Sequence, residues 1–184
     1  MPQSVAGGLP AVTLVLGGAR SGKSRHAEAL VTAAAAGTYI ATAEAGDADM
    51  AARIEEHRRQ RDHGGRGEFW RTVEEPLGLA SAIRTHAAPA RPILVDCLTL
   101  WLSNLLLAER VVEHEGEILC AALREAGGPV VLVANEVGMG LVPDTPLGRK
   151  FRDEAGRLNQ QVAALADRVV FVAAGLPLVL KGTA

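Results

Sequence analysis

Apolar positions along this chain follow two alternating patterns. Short runs of four or five residues, rich in aliphatic and β-branched side chains, occur at Val12–Leu16, Thr38–Ala41, Phe69–Val73, Ile93–Asp96, Val130–Ala134 and Val169–Ala173. Several are continuously apolar, as expected of parallel strands covered on both faces. Between them lie segments with helical periodicity: Lys23–Ala36, Asp47–Arg61, Leu77–His86, Leu100–Leu107, Glu113–Glu125 and Leu147–Ala166. Strands alternating with helices imply right-handed crossovers, and so predict an α/β doubly wound, mostly parallel sheet with helices on both faces. The closing stretch AAGLPLVLK, punctuated by Gly175 and Pro177, predicts a small C-terminal hairpin. Two Gly/Pro-rich loops, HGGRGE (63–68) and EVGMGLVPDTP (136–146), are the segments expected to move most readily. No internal repeat is apparent.

Composition narrows this picture without changing it. At 184 residues, with 48% hydrophobic and 22% charged side chains, the chain suits one domain with a full core. The expected organisation is a flexible N-terminal tail over residues 1–11 and a single nucleotide-binding domain over 12–184. A net charge of -2 and 3% aromatics supply neither a basic field nor base-stacking platforms, which argues against nucleic acid as a partner. Cys97 and Cys120 lack metal-ligand spacing and read as buried thiols in a reducing compartment. No apolar run reaches the roughly 18 residues of a membrane span, and the start of the chain lacks the basic region of a signal peptide. The expected location is the cytoplasm.

The clearest chemistry lies between the first strand and the first helix. Gly17-Gly18-Ala19-Arg20-Ser21-Gly22-Lys23-Ser24 fits the phosphate-loop spacing G-x-x-x-x-G-K-S. Its glycines let successive backbone N–H groups converge on phosphate oxygens, and the helix N-terminus adds partial positive charge at the same point. Lys23 is expected to reach the outer phosphates and Ser24 to ligate Mg²⁺. Arg20 and Ser21 are further candidates for phosphate contact. Such a loop needs a metal-orienting carboxylate at the tip of a neighbouring strand. Asp96, which follows Ile93-Leu94-Val95, is the candidate; the plainer alternative is a helix-capping role.

Base-recognition sequence separates the classes of phosphate-loop protein. The Asn-Lys-x-Asp signature of GTPase switches is missing, because the late strand continues as ANEVG (134–138). A short, slightly acidic chain also fits poorly with a polymer-translocating motor, which leaves a small-molecule kinase. In the segment DADMAARIEEHRRQR (47–61), Met50, Ile54 and His57 share one helical stripe. His57 thus continues an apolar face, with Arg53 and Arg61 a turn to either side. Two nearby cations disfavour the imidazolium, which keeps the ring neutral and nucleophilic, and the same arginines are placed to hold a triphosphate. A packed, non-catalytic histidine is the competing reading.

Five blocks together are more specific than the phosphate loop alone: GGARSGKSRHAE (17–28), YIATAE (39–44), MAARIEEHRRQR (50–61), VDCLTLWLSNLL (95–106) and NEVGMGLVPDTPLGRKFRDEAGRLNQ (135–160). Over about Leu14 to Lys181 the chain resembles the bifunctional adenosylcobinamide kinase/adenosylcobinamide-phosphate guanylyltransferase family of cobalamin biosynthesis. The resemblance implies a RecA-like fold and phosphorylation of adenosylcobinamide by GTP or ATP. It also implies transfer of GMP from GTP to adenosylcobinamide phosphate through a guanylylated histidine, at His57, with release of pyrophosphate. The resemblance implies a homo-oligomer, a trimer, as well. Asn135 and Glu136 are candidates for the reacting hydroxyl, with strand termination the alternative, and Arg149 and Arg152 for phosphate or a solvated face. His26 is expected to be structural, and Trp101 to belong to the core or a subunit interface. Rival readings are a kinase for another small substrate, with His57 merely packed, and a nucleotide-sensing switch.

Overall fold

The computed structural model describes residues 8–44, Arg59 and residues 69–183. Seven strands alternate with helices: β1 (Val12–Gly17), α1 (Lys23–Val31), β2 (Gly37–Ala41), β3 (Trp70–Glu74), α2 (Leu79–His86), β4 (Ile93–Asp96), α3 (Leu98–Leu107), α4 (Val112–Glu125), β5 (Val130–Asn135), α5 (Pro146–Leu165), β6 (Arg168–Ala173) and β7 (Leu176–Lys181). They form one sheet in the order β3-β2-β4-β5-β1-β6-β7. All neighbours run parallel except β6 and β7, which pair as the antiparallel C-terminal hairpin expected from the sequence. This is a P-loop NTPase-like α/β fold.

The continuous apolar runs are central strands because both of their faces are covered. Val12, Leu14 and Leu16 of β1 pack with Val130 and Leu132 of β5 against α2, α3, α4 and α5. Val15, Val131 and Val133 point the other way, into a second cluster with Ala27 and Val31 of α1. Alternation along each strand therefore feeds two cores at once. Trp101 of α3 is the largest fully buried side chain, and its indole N–H donates to the Leu77 carbonyl at 2.9 Å. It is a core residue.

Element boundaries move where local chemistry intervenes. The first helix stops at Val31, five residues short of the expected Ala36. Thr32 caps it, and its hydroxyl donates to the Ala29 carbonyl at 3.3 Å. β-Branched and hydroxylated side chains favour such exits, since they compete with the helical ladder. Helix α5 begins where Thr145 accepts the Gly148 N–H at 3.0 Å, with Pro146 in the first turn. Leu9, assigned to the tail, packs against the second core cluster, and the Ala11 carbonyl accepts from the Val130 N–H at 2.9 Å. Of the segment expected to be helical at 47–61, only Arg59 is among the described residues, where it is helical and exposed.

Candidate functional site

The phosphate loop sits at the C-terminal end of β1, where ligands bind in open parallel sheets. Gly17 pairs with Asn135 in register and is buried between β5 and β6. A Cβ at Gly17 would come within 2.5 Å of Ser21 Oγ and 2.6 Å of the Val172 carbonyl oxygen, so only glycine fits. Arg20 and Gly22 both take positive φ, +56° and +94°, and these left-handed steps bend the loop over the start of α1. Gly22 is the residue that caps α1, and among the described residues no side chain caps the helix. That leaves the N-terminal dipole open to an anion.

Lys23 is only 9% exposed, and its Nζ donates to the Gly18 carbonyl at 3.1 Å. The ammonium is thus folded back onto its own loop. Ser24 is half-buried on the next position of α1, and Gly18, Ala19 and Arg20 form the accessible rim of the loop. Ser21 Oγ is buried without a hydrogen-bond partner among the described residues.

Asp96 ends β4 on the α1 side of the sheet, the side that Leu94 faces. Its strand is not the direct neighbour of β1, contrary to expectation: β5 lies between them. The carboxylate is half-buried, and its Oδ2 accepts the Tyr39 hydroxyl at 2.5 Å. Asp96 does not cap α3. That helix starts at Leu98, two residues earlier than expected, with Cys97 at the cap position and Thr99 inside the first turn. Thr99 Oγ1 instead accepts the Asn135 N–H at 2.7 Å, which ties α3 to the end of β5. Burial, reinforced by the neighbouring Asp96 charge, pushes the Cys97 thiol up to about 11. It is a neutral packing group.

Three further residues, none of them a site candidate from the sequence, fix the mouth of the site. Thr42, fully buried after β2, donates to the Cys97 carbonyl at 2.8 Å and accepts the Cys97 N–H at 2.9 Å. Asn104 Nδ2 donates to the carbonyls of Thr42 and Pro76 at 2.7 and 3.1 Å. Gly175, in the β6–β7 turn, donates its N–H to the Ser21 carbonyl at 2.8 Å. The signal for Tyr39 was its place in an apolar run, because a buried phenol needs a partner. For Gly175 the sequence signals the hairpin turn but not its contact with the phosphate loop.

The remaining candidates separate cleanly. The Glu136 N–H donates to the Gly17 carbonyl at 3.1 Å, which fastens the 136–146 loop beside the phosphate loop, while its carboxylate accepts the Gly138 N–H at 2.6 Å. Asn135 ends β5 as the strand-terminating alternative has it. Arg149 donates to the carbonyls of Pro143 and Asp144 at 3.0 and 2.8 Å, and Arg152 pairs with Asp153. Both arginines thus brace their own segment. His26 is half-buried, and its Nε2 has no hydrogen-bond partner among the described residues. Arg53, His57 and Arg61 lie outside the described residues.

A phosphate loop at the head of the first helix, with a carboxylate at the end of β4 on the same edge of the sheet, is the arrangement of a P-loop nucleotide-binding protein. The family model for cobinamide kinase / cobinamide phosphate guanyltransferase matches residues 13–180, and the chain belongs to that family of enzymes. It is 51% identical over 172 residues to the bifunctional adenosylcobalamin biosynthesis protein CobP of Pseudomonas aeruginosa, covering 92% of this chain and 96% of the relative. It is 45% and 44% identical, over 183 residues each, to the proteins named CobU of Salmonella typhimurium and Escherichia coli, covering 91% of this chain and 98% of each relative. Among the described residues no helix is long and apolar enough to cross a membrane.

Proposed function

We propose that this chain phosphorylates adenosylcobinamide with GTP or ATP and then converts the product to adenosylcobinamide-GDP. The observation that carries the reading is the phosphate loop Gly17–Ser24, built around Lys23 and set at the sheet edge that Asp96 shares. In the first reaction the substrate hydroxyl oxygen attacks the γ-phosphorus, the bond to the β–γ bridging oxygen breaks, and the nucleoside diphosphate leaves. The hydroxyl proton passes to solvent. Lys23 and the loop amides neutralise the charge carried by the β- and γ-oxygens.

Mg²⁺ fits the same place by its chemistry, since Ser24 and Asp96 offer hard oxygen donors and this ion takes few protein ligands. Asp96 Oδ1 has no hydrogen bond from the described residues, which leaves it for that role. Held by Ser24 and Asp96, the ion would offset the negative charge of the nucleotide's phosphates.

The second reaction needs a nucleophile that attacks and later departs. His57 is the assigned group: its ring nitrogen attacks the α-phosphorus of GTP and expels pyrophosphate. An oxygen of adenosylcobinamide phosphate then takes the GMP group and restores the imidazole. Splitting one displacement into two lowers each barrier. Arg53 and Arg61 support the role by disfavouring the imidazolium and by holding phosphate. The family resemblance also supports a homotrimer. Leu176, Leu178 and Leu180, exposed on the edge strand β7, offer an apolar surface for it; light scattering at micromolar concentration tests the mass.

The deciding experiment supplies adenosylcobinamide with GTP or ATP and looks by mass for the phosphorylated and GDP-linked products. A parallel incubation with GTP labelled at the α-phosphate should give a covalent adduct that is lost in His57→Ala, while that variant still forms adenosylcobinamide phosphate. An adduct that persists in His57→Ala overturns the assignment, and turnover of neither substrate overturns the reading.

A further inference from the structure

The Asp96 carboxylate is not held by its own strand alone. Tyr39 of β2 lies two rows below it on the same face of the sheet, because Tyr39 pairs with Leu94 and Asp96 pairs with Ala41. From there the phenol reaches up and donates to Asp96 Oδ2 at 2.5 Å. That length falls in the range of charge-assisted O–H···O⁻ bonds. The ring itself is only 3% exposed and packs edge-on against Trp70, with centroids 5.7 Å apart and planes at 84°. Strand pairing and the core beneath therefore fix the hydroxyl in space.

We propose that Tyr39 is a positioning residue for metal-assisted phosphoryl transfer, aiming the Asp96 carboxylate so that Oδ1 faces the nucleotide-bound cation. The inference rests on the metal role of Asp96 proposed above. One carboxylate oxygen is committed to a rigid donor, and rotation about the Cβ–Cγ bond is thereby stopped. A group that binds a cation through a single oxygen loses affinity when it is free to turn, and removing an outer partner of this kind typically costs 10–100-fold in metal binding. A tyrosine that only filled space would leave metal binding untouched when its hydroxyl was removed.

The test compares the affinity of a nonhydrolysable GTP analogue in Mg²⁺ and in EDTA, by calorimetry, for each protein. The ratio of the two isolates the contribution of the ion. In Tyr39→Phe the ratio should fall about tenfold or more, and in kinase assays the KM for Mg²⁺ should rise by more than kcat falls at saturating Mg²⁺. Trp70→Phe, which keeps the hydroxyl, should preserve the ratio. Two results overturn the inference: an unchanged ratio in Tyr39→Phe while Asp96→Asn loses it, or an equal loss in Trp70→Phe. A ratio unaffected by Asp96→Asn instead removes the metal role of Asp96 itself.

Tyr39 is the single tyrosine of the chain, so fluorotyrosine incorporation labels this site alone. Should Tyr39→Phe fail to fold, its ¹⁹F resonance remains a direct readout. It should shift when Mg²⁺ is added to the analogue complex, and should not do so in Asp96→Asn. A resonance indifferent to the ion, or one that moves equally in both proteins, refutes the positioning role.

Discussion

The Gly175 amide donates to the Ser21 carbonyl at 2.8 Å, so the turn between β6 and β7 braces the phosphate loop from outside. The two segments touch closely enough that a Cβ on Gly22 would lie 3.2 Å from the Gly175 Cα. Gly22 also holds φ at +94°. Gly22→Ala should therefore cost about 1–2 kcal/mol through the left-handed backbone, or roughly 2–8 °C in melting temperature. It should weaken nucleotide binding as well, because the loop must move away from the turn. Calorimetric unfolding and nucleotide titration of the variant check both effects. A variant with unchanged nucleotide affinity would show that the brace does not set the loop.

Lys23 has a different weakness. Its charge is the one side-chain cation bonded to the loop among the described residues, at the Gly18 carbonyl. Lys23→Ala should lower kinase kcat by about 10²-fold or more, the usual cost of removing a donor aimed at developing charge. Folding should be little affected, since the lost bond is a single side-chain contact. Steady-state kinetics beside a urea titration separates the two.

Thr42 predicts the opposite balance, stability before chemistry. It satisfies both the N–H and the carbonyl of Cys97 in a fully buried position. Thr42→Val keeps the shape but strands two buried polar groups, at an expected cost of about 2–4 kcal/mol. Thr42→Ser should recover most of it. Urea midpoints of the three proteins provide the measurement.

Acid should act through His26. Burial, and secondarily the Arg168 charge, hold its pKa below the ordinary 6.5. The folded protein therefore resists the imidazolium while the unfolded chain accepts a proton. Stability is full above the unfolded pKa and declines as pH falls below it towards the folded value. Urea midpoints at pH 7.5 and 5.5 should differ less in His26→Gln than in the parent protein. An equal pH dependence in both would remove His26 as the cause.

Much of this molecule was legible along the chain because its signals are local. Short apolar runs and period-3.6 patterns placed six strands and five described helices within a few residues, and the C-terminal hairpin followed from Gly175 and Pro177. The phosphate loop was legible for the same reason: its geometry is made by eight consecutive residues. Helix ends were less so. Thr32 stops α1 early, and α3 starts at Leu98, since a cap depends on which carbonyls the neighbouring chain leaves free.

By itself, then, the sequence determined the elements, the phosphate cradle and the family. Only the tertiary structure decided that β5 separates β1 from the Asp96 strand, that Tyr39 grips Asp96, and that Gly175 braces Ser21. The last two are contacts between residues 57 and 154 positions apart. Strand order and hydrogen-bond partners across such distances are set by how whole faces pack, and no local period records that.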